Sequence, residues 1–293
     1  MSDLRALTRT RSMLRISCTH FLDKKMKPCL RLALLSLFTS ATLLASFEES
    51  SQPAPRTHTA ARPVDLEALR QCAQITWDQA LFAQDPHIKC ALYGANAQTW
   101  EVILREIHAP REEEAIIPGL HYGHAVHFAR SALDKIFYSA KANTFWEDYL
   151  KRVPNPMHDV LRRAAWSAHE MALVTENPTQ KAALMARCVE LWERYINAPG
   201  QTVLGAPLQQ AARSFYRALF FAQTPARKAY LALQSARAWD RYFNQQLRPD
   251  DEKTFEDAAK AYDAVVSFAQ DSVIRDTYRQ KGSLMGVVFP KNS

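Results

Sequence analysis

Trp100, Trp146, Trp192 and Trp239 are spaced by 46, 46 and 47 residues, and this recurrence constrains the fold more than any other feature of the sequence. A period of that length marks a repeat architecture, in which one supersecondary unit is copied and each copy buries its apolar face against the next. The same register aligns Lys89, Lys135, Lys181, Lys228 and Arg275 in one column. Four residues before each of them stands Asp85, Ser131, Asn177, Thr224 or Asp271. All five are side chains that cap a helix by accepting a backbone N–H. Pro86, Pro178 and Pro225 follow three of these caps, at the first helical position, where a missing N–H costs nothing.

Each unit therefore starts a helix at the cap. Two residues earlier come Ala83, Ala129, Thr175, Ala222 and Ala269, small enough for a tight turn from a preceding helix. A further small column, Ala73, Gly119, Ala165, Ala212 and Ala259, lies within that preceding helix and predicts close backbone approach there. The unit is thus a first helix, a turn of about three residues and a second helix of about 19 residues, near 28 Å long. Prolines between units, among them Pro110, Pro154, Pro199 and Pro249, stop helix continuation. The chain holds only 7 glycines in 293 residues, so loops needing positive φ are few. The fold class predicted is all-α, with about five helical hairpins and a fifth unit that lacks its Trp.

The pattern resembles the α-solenoid class as a whole, near the length of HEAT and armadillo units and longer than the ~34 residues of a tetratricopeptide. The tetratricopeptide consensus is missing, because the Trp sits deep in the second helix. The resemblance implies a right-handed α-α superhelix that binds a protein or peptide on its concave face. The stretch Pro225 to Trp239 (PARKAYLALQSARAW) resembles helical-repeat immunity proteins of bacterial toxin systems, which implies toxin neutralisation.

Charge divides the chain into functional sections. The formal net charge is +7, yet residues 1–45 hold eight basic and two acidic groups, leaving 29 basic and 28 acidic residues in the rest. The body is near neutral, so a nucleic-acid partner has no bulk electrostatic support. From Met26, Lys27 and Arg31 precede an apolar run from Leu32 to Ala45. This is the layout of a secretory signal, and the run falls short of the ~20 residues that span a bilayer. Residues 1–45 are read as a leader, 46–63 as a Pro/Ser/Thr-rich linker and 64–293 as the repeat domain. The localisation expected is periplasmic or secreted; the alternative is a membrane anchor formed by an uncleaved leader over residues 30–47. Cys72, Cys90 and Cys188 remain in the body, an odd count without CxxC spacing, and are expected as thiols.

Three constellations are candidates for function. The pairs Trp146 and Tyr149, Trp192 and Tyr195, and Trp239 and Tyr242 repeat at i and i+3, one helix face. They form either an aromatic ribbon that grips a partner or the seam between hairpins. Lys89, Lys135, Lys181 and Lys228 form either a cradle for acidic groups or a structural row paired with nearby acids. The row sits at helix starts, where the macrodipole disfavours cations. His121 and His124, joined by Glu170 in the next unit, are the candidate metal ligands. The sequence contains no HExxH, no GxSxG and no glycine-rich phosphate loop, so no catalytic residue and no cofactor is assigned. The leading expectation is an exported adaptor; the alternative is a metal-dependent hydrolase built on the histidines.

Overall fold

The computed structural model describes residues 64–200, 202–245 and 252–288. The leader, its export signal and the linker lie outside the described residues. Two compact units divide the chain, residues 1–78 and 79–293. In the first unit, helix α1 (Leu66–Phe82) begins where Asp65 Oδ1 accepts the Ala68 N–H at 3.0 Å.

The second unit contains α2 (Pro86–Glu106), the single turn α3 (Glu112–Ala115), α4 (Ile117–Phe128) and α5 (Ala132–Arg152). They are followed by α6 (His158–Val174), α7 (Pro178–Ile196), α8 (Ala206–Leu219), α9 (Pro225–Phe243), α10 (Glu252–Phe268) and α11 (Ser272–Val288). The described residues contain no strand. The described residues are all-helical; α2 packs on α4, and from α3 to α11 each helix packs on the one that follows it.

All five caps expected from the sequence operate. Asp85 accepts from His87 N, Ser131 from Asp134 N, Asn177 from Thr179 N and Gln180 N, and Thr224 from Arg227 N. Asp271 Oδ1 accepts from Val273 N at 2.7 Å and Ile274 N at 3.2 Å. Each satisfies backbone donors that the first turn leaves without an intrahelical partner. Four of the connections are the short turns that the small column predicts. The exception joins α8 to α9, where Phe220, Phe221 and Ala222 donate to the carbonyls three residues back. The helix there tightens into i→i+3 bonds before the Thr224 cap, and the turn is longer. Helix α4 is also short, 12 residues. Pro118 fixes its start, since proline is tolerated in a first turn and not further in.

One apolar core runs from Trp146 in α5 to Tyr278 in α11, and a smaller cluster holds Ala97, Tyr122 and Ala142. Gly119, in the small column, shows why the column is small. A Cβ there would lie 2.5 Å from the Trp146 ring, so the ring packs directly on the α4 backbone. Gly94 plays the same part against the Tyr138 ring. Positive φ occurs at Gly200 (73°) and Gly205 (61°), both in the link between α7 and α8. Cys90 and Cys188 are buried thiols. Burial pushes them up to about 11 and about 12 respectively, so neither is a thiolate at neutral pH. No described helix is long and apolar enough to cross a membrane.

Candidate functional site

The aromatic pairs lie in the core. Trp146 and Tyr149 are each 2% exposed, Trp192 and Trp239 0%, and Tyr195 and Tyr242 7%. In every pair the rings meet edge to face, at 6.1, 5.6 and 5.9 Å between centroids, the arrangement their quadrupoles favour. Rings buried to this degree offer no face to a ligand; they pack the seam between helices. The acid that follows each of these Trp residues ties one unit to the next. Glu147 takes a bidentate pair from Arg187 at 2.9 and 3.2 Å, and Glu193 accepts from Tyr230 Oη at 3.0 Å. Asp240 accepts from the hydroxyls of Tyr262 and Tyr278 and from Lys281.

The basic column is half-buried, and its contacts resolve the objection that helix starts repel cations. Lys89 Nζ lies 5.0 Å from the centre of the Phe128 ring, the last residue of α4. Lys228 Nζ lies 5.7 Å from that of Phe268, the last residue of α10. Lys135 pairs with Glu170 at 3.7 Å, in the last turn or so of α6. Each of these three lysines thus starts its own helix but reaches the C-terminal end of the helix that opens the next pair, while no such contact is seen for Lys181 among the described residues. A cation is favourable there, both for the macrodipole and for the ring face.

His121, His124 and Glu170 do not converge. No group of three or more His, Cys, Asp or Glu among the described residues is arranged to hold a metal ion. His121 is 8% exposed and meets Tyr93 edge-on at 6.0 Å. Burial, then His124, pulls its pKa down to about 3. Glu170 is committed to Lys135. The metal reading of these three residues has no support in this geometry.

The structure instead gathers polar chemistry on the first helices, α4, α6, α8 and α10. Two clefts open there. One, of about 190 Å³, is lined by residues of α4, α5, α6 and α8, including His124, Trp146, Arg162, Arg163, Trp166, Ser167 and Gln210. The other, of about 290 Å³, is lined by Arg213, Tyr216, Arg217, Trp239, Lys253, Asp257 and Lys260. In the repeat register these are equivalent positions: Arg163, Gln210 and Asp257 share one column, Trp166, Arg213 and Lys260 another, and Glu170 and Arg217 a third.

A polar chain runs from Arg217 at the second cleft to the buried His169, Ser214 and Trp192. Arg217 Nη1 donates to His169 Nε2, which makes Nδ1 the protonated nitrogen that donates to Ser214 Oγ at 3.2 Å. Trp192 Nε1 donates to the same oxygen at 3.2 Å. Burial, then the Arg217 charge, holds the His169 pKa down to about 4, so the imidazole is neutral at pH 7. Arg217 has no carboxylate partner among the described residues, and its guanidinium stands at the second cleft.

Gly123 is an anomaly that belongs to the first cleft. Glycine inside a helix costs about 0.5–1 kcal/mol relative to alanine, yet a Cβ at Gly123 would meet only the Trp166 ring, at 3.9 Å. Packing does not require the glycine. Gly123→Ala is therefore expected to raise stability by about 0.5–1 kcal/mol in urea denaturation, whereas Gly119→Ala, colliding with Trp146, is expected to lower it.

No column of one residue type marks these first-helix residues, because Arg, Gln and Asp alternate at one position. Their sequence signal is polar side chains on helices otherwise rich in alanine. The sequence matches no known family model, and no curated protein compared with it matches.

Proposed function

We propose that this chain is an exported helical-repeat binding protein, which takes an acidic segment of a protein or peptide partner along the polar surface of its first helices. One observation carries the reading: the cleft between α8 and α10 sets four cations, Arg213, Arg217, Lys253 and Lys260, against the single lining carboxylate Asp257. In a body near neutrality such a local excess favours an acidic partner and adds to encounter rate. Tyr216 gives the same cleft apolar surface, and an aromatic anchor beside arginine is what binding hot spots use. The secretory layout of residues 26–45 supports export, and the stacking of successive units into a superhelix would extend the surface.

The test is a photo-crosslinking residue at Lys253 in the full chain, compared with one at exposed Lys151 on α5. A discrete covalent product is expected from position 253 and not from 151, and it should vanish with Arg217→Gln and Lys260→Gln. Equal products from both positions, or a product indifferent to the two charge changes, would sink the proposal.

A further inference from the structure

We infer that the smaller cleft, between α4, α6 and α8, is a binding site for a small aromatic carboxylate that also carries an O–H or N–H donor. This is independent of the partner reading, since none of its residues lines the cleft of Arg217 and Lys253. Four features point to the ligand. The first is Ser167, 2% exposed and lining the cleft, whose Oγ has no hydrogen-bond partner among the described residues. A helical serine ordinarily returns its hydroxyl to the carbonyl four residues back. A buried hydroxyl without a partner is rare and costly, so a ligand atom that completes it is the economical account.

The second feature is Gln210, whose buried Oε1 also lacks a partner and lines the same cleft. A carbonyl oxygen only accepts, hence the donor on the ligand. Charge is the third. Arg162 and Arg163 share the one carboxylate of Asp159, which leaves one positive charge in excess. Arg163 uses Nε for that pair, and a guanidinium has five N–H donors in all. Its remaining donors suit a carboxylate, which arginine grips through two parallel bonds. A single surplus charge selects a monoanion.

Space is the fourth feature. The walls include Trp166 and Leu120, apolar surfaces that suit an aromatic ring. At about 190 Å³ the cleft is below the ~300–1,000 Å³ that takes a drug-sized molecule, so the ligand is a single substituted ring. Gly123 keeps the floor open. A Cβ there would meet only the Trp166 ring, at 3.9 Å, and a longer side chain would extend into the cleft that Gly123 lines, which explains a helix-interior glycine that packing does not need.

The experiment is calorimetric titration of the full chain with 3- and 4-hydroxybenzoate, benzoate, 4-hydroxybenzamide and inorganic phosphate. At least one hydroxybenzoate is expected to bind one-to-one with a dissociation constant of about 1 mM or tighter, a reasonable strength for a ligand of some ten atoms. Arg163→Gln and Ser167→Ala should each weaken it about tenfold or more, and the neutral amide should bind at least about tenfold more weakly than its acid. Gly123→Leu should abolish binding while the melting temperature holds or rises. No saturable binding of any hydroxybenzoate by about 10 mM would overturn the inference. So would normal binding to Gly123→Leu, or phosphate binding as tightly as the aromatic acid. Ser167→Ala keeps the test decisive if the leucine variant folds poorly.

Discussion

Trp192→Ala is expected to cost about 3–5 kcal/mol in urea denaturation. The ring is fully buried, at the centre of the continuous core, and truncation leaves a cavity that flanking helices on both sides cannot close. The variant also removes the N–H that Ser214 accepts, so a polar oxygen loses one donor in a dry setting. Trp100→Ala provides the comparison. That ring is only half-buried, and Ile103 takes the i+3 position held elsewhere by tyrosine, so its loss should be distinctly smaller. Equal losses for the two, or a Trp192→Ala loss under about 1 kcal/mol, would contradict the seam.

Acidification is expected to destabilise the protein between pH 6.5 and 4, before most carboxylates titrate. His169 has an ordinary value of 6.5 and is held down to about 4 in the fold. The unfolded chain therefore binds the proton first, and stability rises with pH through this window. It is fully present above 6.5 and lost as pH falls toward 4. The displacement corresponds to about 3 kcal/mol for His169 alone, and His121, held down to about 3, adds loss in the same direction. The structural cause is specific: a second proton on His169 would face the Arg217 donor across Nε2. Denaturation midpoints measured at pH 7.5, 5.5 and 4.5 should fall in that order, and His169→Gln should flatten much of the trend. A midpoint unchanged from pH 7.5 to 4.5 would show that the imidazole is not held neutral.

Local features were legible in the sequence and cross-unit ones were not. Asp85, Ser131, Asn177, Thr224 and Asp271 announce helix starts because a cap acts within three residues of itself. The small column foretells close approach because a missing side chain has one steric meaning, which Gly119 against Trp146 makes concrete. The lysines were harder. Their position looks unfavourable within their own helix, and the reason for it, the far end of a helix some forty residues later, is tertiary. The candidate site was hidden for another reason. The polar residues at matching positions of the Trp register differ in type, as Arg163, Gln210 and Asp257 do, so the recurrence that marks the helices does not mark them.

The ties that follow each Trp also bear on how such a chain can change its length. Glu147 to Arg187, Glu193 to Tyr230 and Asp240 to Lys281 each join a residue to a partner 37 to 41 positions later, and the lysine contacts span a similar distance. Every such bond joins a residue on one helix pair to the helix pair that follows it. A change of length confined to a link leaves both partners of each tie on their own helices, whereas deletion of a helix removes a partner and uncovers the apolar face it packed against.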